Sequence, residues 1–104
     1  MDKQSIKVAK EFGRKIRKKF NVKSLILFGS RARGDNFEHS DYDFIIVSND
    51  FKDKKFVLRA SDFYDYWSKK QDLEIICYTP EEFERKKRQI GIVKTAVEEG
   101  IEIK

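Results

Sequence analysis

The sequence predicts an α/β (α+β) domain, a small mixed β-sheet with helices packed on it. Three apolar runs, at 24–28, 42–47 and 72–78, are too short for helices and are bounded by polar or glycine-containing turns. Around them, apolar residues recur at helical spacing instead. A chain of 104 residues holds one core and too little material for two, so residues 1–104 are expected to form a single domain.

Taken in order, Ile6, Ala9, Phe12, Ile16 and Phe20 mark the apolar face of a helix over 3–20, with lysines and arginines between them. "SLILF" is the first strand, ended by Gly29. The polar stretch 29–40 leads into "YDFIIV", the second strand. After the charged loop "SNDFKDKK", the spacing of Phe56, Val57, Ala60, Phe63, Tyr64 and Trp67 predicts a helix over 56–69. Its aromatic stripe is expected to face the core rather than to stack on bases. "DLEIICY" is the third strand. In "TPEEF" Thr79 can cap a helix, Pro80 suits its first position and Glu82 completes a capping box. That helix is expected to break near Gly91, resume over 92–99 and stop at Gly100 in a left-handed cap, with "IEIK" adding a last short strand.

Charged and hydrophobic residues each make up 39% of the chain, with nine Phe, four Tyr and one Trp, a balance that folds rather than stays disordered. The net charge of +5 favours anionic partners without choosing among them. Cys77 stands alone in an apolar run, where a buried thiol is expected. It allows no internal disulfide, which suits a reducing cytoplasm. The N-terminal stretch lacks a signal-peptide core and no run approaches a membrane span of ~20 apolar residues. A cytoplasmic protein without membrane contact is expected.

The chemistry is concentrated in carboxylates. Residues two apart in a strand share a face, so Asp41 and Asp43 project together, as do Asp72 and Glu74. If the second and third strands are neighbours entering from one end, these groups converge at one sheet edge, where like charges repel unless protons or cations intervene. Oxygen-only ligands suit a hard ion, Mg²⁺ or Mn²⁺, that shares its shell with water and phosphates. Upstream, "GSRARG" offers close backbone approach at Gly29, a hydroxyl and amide at Ser30, and positive charge at Arg31 and Arg33 for a triphosphate. His39 is expected to be exposed, and Ser40 to brace Asp41.

The string "LFGSRARGDNFEHSDYDFIIV", with ten residues between Gly29-Ser30 and Asp41-Tyr42-Asp43, resembles the signature of the polymerase-β-type nucleotidyltransferase superfamily, in its minimal (MNT) branch. The resemblance implies a polymerase-β-like fold in which Gly29 and Ser30 contact the phosphates of ATP, and Asp41 and Asp43 bind two Mg²⁺ ions, with Mn²⁺ as a substitute. Glu74 best matches the family's third carboxylate, where Asp is commoner, and Asp72 is the alternative. Arg31 and Arg33 are carried as further nucleotide-binding residues. The implied activity is transfer of AMP to a hydroxyl, with a tyrosine of a cognate HEPN-domain ribonuclease toxin as acceptor, which would make the protein a type VII antitoxin. Templated synthesis and direct nucleic-acid binding are not expected. The alternatives are a catalytically weak antitoxin that acts by binding alone and a small-molecule nucleotidyltransferase.

Overall fold

The computed structural model describes residues 3–104. Met1 and Asp2, which belong to the stretch read for a signal peptide and to the domain drawn over 1–104, lie outside the described residues. Helix α1 (Lys3–Arg17) buries Val8, Ala9, Phe12 and Ile16 and carries Arg14, Lys15 and Arg17 in its last turn, where cations complement the helix dipole. It ends sooner than the apolar spacing suggests. The Phe20 amide still donates to the Ile16 carbonyl, and its ring packs 4.5 Å from Phe63, so Phe20 serves the core from a turn.

Strands β1 (Ser24–Phe28), β2 (Tyr42–Val47), β3 (Leu73–Tyr78) and β4 (Ile101–Glu102) form one sheet in the order β3-β2-β1-β4. β1 runs antiparallel to β2 and to β4, whereas β2 and β3 are parallel. Alternation along β1 and β2 divides the core in two. Leu25, Leu27, Phe44 and Ile46 pack with α1 on one face, and Ile26, Phe28, Ile45 and Val47 pack with Val93 and Ala96 on the other.

The latter pair belongs to helix α4 (Ile92–Glu99), which follows α3 (Pro80–Lys86). The start of α3 matches its sequence signals, because the Thr79 side chain accepts from the Glu82 amide while the Glu82 carboxylate accepts from the Thr79 amide. The end of α4 differs from expectation. Gly100 is extended (φ −80°, ψ 172°) rather than left-handed. Glycine is needed there for space: an added Cβ would collide with the Ala96 carbonyl oxygen and lie 2.9 Å from that of Leu27.

The crossover from β2 to β3 also differs. Instead of a helix over 56–69 it forms 3-10 turns at Asn49–Phe51, Phe56–Leu58 and Ser61–Tyr66. "SDFYDY" is made of residues with modest helix propensity, and Ser and Asp compete for backbone partners. Aromatic packing then decides: Phe63 sits against Phe20 and Phe51, and Trp67 against Phe12, Tyr42 and Phe44. Phe56 and Val57, expected inside, are 52% and 82% exposed.

Candidate active site

The sheet brings the end of β1 and the starts of β2 and β3 to one edge. Asp43 faces Phe28 across the antiparallel ladder and Glu74 across the parallel one. Asp43 and Glu74 project from the face shared with Ile45 and Ile76. The two carboxyls come within hydrogen-bonding reach, and the Asp43 carboxyl is pushed up from 3.8 to about 6. Burial contributes most, followed by the hydrogen bond and charge of Glu74 and the charge of Asp41, with Arg33 acting in the opposite sense. The repulsion that raises Asp43 is one that a bound cation would relieve.

Gly29 has φ 74°, and an added Cβ would lie 2.5 Å from Asp43 Oδ2. The Gly29 backbone therefore packs directly against the carboxylate, an approach only glycine permits in this conformation. Its carbonyl accepts from the Ala32 and Arg33 amides at 3.0 and 3.1 Å, opening the short helix α2 (Ser30–Arg33). Gly34, left-handed at φ 86°, closes that turn. Ser30 is thereby fixed at the first position of the turn, next to Gly29.

The structure gives the two arginines different places. Arg31 is 3% exposed, and its guanidinium is taken up by the Ser40 and Glu38 carbonyls, Ser5 Oγ and the Tyr42 ring. A group so engaged braces the loop, a role that the reading of Arg31 as a nucleotide-binding residue did not include. Arg33 is exposed, pairs with Asp35 and Glu99 at 3.2 and 3.6 Å, and is the cation whose field reaches Asp43. Ser40 Oγ accepts from the Phe37 amide, so it braces its own loop rather than Asp41. His39 is exposed, as expected. Cys77 is buried and its thiol is pushed up to about 12, chiefly by burial, which leaves no thiolate.

Asp72 lies one pleat before Glu74. Its carbonyl accepts from the Tyr42 amide at 2.9 Å, and its side chain lines a cleft of about 510 Å³ together with Asp41, Glu74, Tyr64, Lys69 and Lys70. Between the two candidates for third carboxylate, the register therefore brings Glu74 to Asp43. The lysine pair and the exposed Tyr64 were not singled out as site residues in the sequence. Their signal was "KKQ" directly ahead of "DLE". Among the described residues no group of three or more His, Cys, Asp or Glu stands ready-arranged for a metal. The oxygen-only donors and the mutual repulsion of the Asp43 and Glu74 carboxyls nonetheless fit a hard cation whose shell is completed by water and phosphate.

The mixed sheet thus gathers a glycine turn and carboxylates from parallel strands at one edge. The chain belongs to the nucleotidyltransferase domain family, whose profile matches residues 9–102. A crystallised Sulfolobus solfataricus protein assigned as a nucleotidyltransferase is similar over 79% of this chain and 73% of its own, with 28% identity and a TM-score of 0.64. The BolA domain of SufE1 from Arabidopsis thaliana is 22% identical over 79% of this chain and 98% of its own, at a TM-score of 0.53, a likeness of fold alone. No curated protein sequence matches. Among the described residues no helix is long and apolar enough to cross a membrane.

Proposed function

We propose that the protein transfers AMP from ATP to a hydroxyl with the aid of Mg²⁺, and that the acceptor is a tyrosine of a HEPN-domain ribonuclease toxin, so that it acts as an antitoxin. The observation that carries the reading is the pairing of Asp43 with Glu74 across parallel strands, with Gly29 packed against Asp43. Asp41, Asp43 and Glu74 would hold two divalent ions, Mg²⁺ or Mn²⁺, which when bound neutralise the triphosphate and stabilise the charge of an in-line displacement.

The remaining work falls to the chain. Gly29 and Ser30 orient the phosphates, and Arg33, exposed beside Asp43, adds positive charge at their edge. Glu74, next to the cleft, accepts the hydroxyl proton at a carboxylate oxygen. The hydroxyl oxygen then bonds to the α-phosphorus, the bond from that phosphorus to the bridging oxygen of the β-phosphate breaks, and pyrophosphate leaves with the electron pair.

Incubation with Mg²⁺, ATP labelled on the α-phosphate and the HEPN protein should place label on the partner. Asp43→Ala should lower transfer on the order of 10³-fold, since the charge stabilisation lost amounts to several kcal/mol. Undiminished transfer by that variant would sink the site. Tight binding without label would favour neutralisation by binding alone, and label only on a small hydroxyl compound would favour the small-molecule reading.

A further inference from the structure

One backbone oxygen joins the two loops that deliver the carboxylates. The Glu38 carbonyl accepts from Arg31 Nη2 at 2.9 Å and from Gln71 Nε2 at 2.9 Å. Arg31 reaches further along the same loop, donating to the Ser40 carbonyl through Nε at 3.2 Å and Nη2 at 2.9 Å. It is anchored behind by Ser5 Oγ of α1 at 3.2 Å and by the Tyr42 ring, whose centroid lies 4.4 Å from the guanidinium carbon.

The need for such an anchor follows from the ladder. Pairing of β2 with β3 begins at Tyr42 and Leu73, so it fixes Asp43 opposite Glu74 but leaves Asp41 outside, on an exposed loop position. Glu38 and Ser40 come just before Asp41. Gln71 comes just before Asp72 and Glu74. A grip on the Glu38 carbonyl from both sides therefore ties the Asp41 arm to the Glu74 arm where the sheet does not.

We propose that Arg31 and Gln71 are positioning residues of the nucleotidyl-transfer site, a clasp on the Glu38 carbonyl that sets Asp41 relative to Asp43 and Glu74. The proposal rests on the reading of those carboxylates as metal ligands. Displacement of a reacting group by about 1 Å can cost on the order of 100-fold in rate. Loss of groups that orient metal ligands typically weakens metal binding roughly 10- to 100-fold.

Because Arg31 is buried and its replacement can unfold the chain, Gln71 provides the decisive variant. Gln71→Met keeps the length and removes the donor, and Gln71→Lys restores one. The probe is Mn²⁺ with the α,β-methylene analogue of ATP, binding being followed by the paramagnetic resonance of free Mn²⁺. Gln71→Met should bind Mn²⁺ about 10-fold more weakly at an unchanged melting temperature, and Gln71→Lys should recover most of the loss. In turnover the defect should fall on kcat, with KM for ATP little altered.

Wild-type Mn²⁺ affinity in Gln71→Met, alongside lost binding in Asp43→Ala, would overturn the clasp and leave the site standing. Equal binding by wild type and Asp43→Ala would overturn the metal reading and the clasp with it.

Discussion

Asp43 retains a proton at a pH where an ordinary aspartate has lost it. Its folded-state value of about 6 lies above the 3.8 of the unfolded chain, so between these values the folded form binds more protons and stability falls as pH rises. The favourable contribution is complete below about pH 4 and lost above about pH 6. Asp43→Asn, neutral throughout, should match wild type at pH 4 and exceed it by about 1 kcal/mol at pH 7.5 in chelator, after allowance for solvent screening of a half-buried group. Urea denaturation at the two pH values checks this. Gly29→Ala meets the same carboxylate. An alanine held at φ 74° and ψ −158°, a region essentially reserved for glycine, costs about 1–3 kcal/mol, and Asp43 must move from a Cβ 2.5 Å away. The expected result is a modest drop in urea midpoint with a much larger loss of label transfer. At this scale the residue types were legible, but the different places of Arg31 and Arg33 were not. Two arginines two residues apart look alike until one is found under a loop.

At the scale of elements, the strands were legible almost to the residue, because short apolar runs between turn signals have few other fates. The helix after Pro80 was legible for a local reason too, since its capping box is complete within four residues. The crossover was not. Its aromatic spacing is helical, yet ring packing against α1 and β2 replaces helical hydrogen bonding with 3-10 turns. Gly100 was read correctly as the end of α4 but for another reason, because its constraint comes from the Ala96 carbonyl and from β1 rather than from its own φ. Gly100→Ala should therefore cost about 1–3 kcal/mol, as overpacking does, and fray β4 from β1. Denaturant midpoints and exchange of the Ile103 amide, which donates to the Leu25 carbonyl at 2.7 Å, report both effects.

At the scale of the molecule, the site stands on the core. Phe44 is fully buried, follows Asp43 in β2 and packs between Phe12 and Trp67 with centroids at 5.2 and 6.3 Å. Its truncation in Phe44→Ala should remove about 3–5 kcal/mol, a large share of the ~5–15 kcal/mol that holds such a domain together. The urea midpoint should fall accordingly. The parallel β2–β3 pair also needs a long crossover, here residues 48–72, which sets Tyr64, Lys69 and Lys70 beside the carboxylates.

The sequence by itself determined the strands, the capped helix and the glycine turn, because each depends on neighbours a few residues away. Only the tertiary structure decided that β2 and β3 are parallel neighbours in a register that sets Glu74 against Asp43. It also decided that Arg31 is buried under the loop and that Gln71 shares its carbonyl. Those outcomes depend on contacts between residues from seven to more than 30 positions apart, fixed by loop folding, sheet pairing and core packing, which no local pattern encodes.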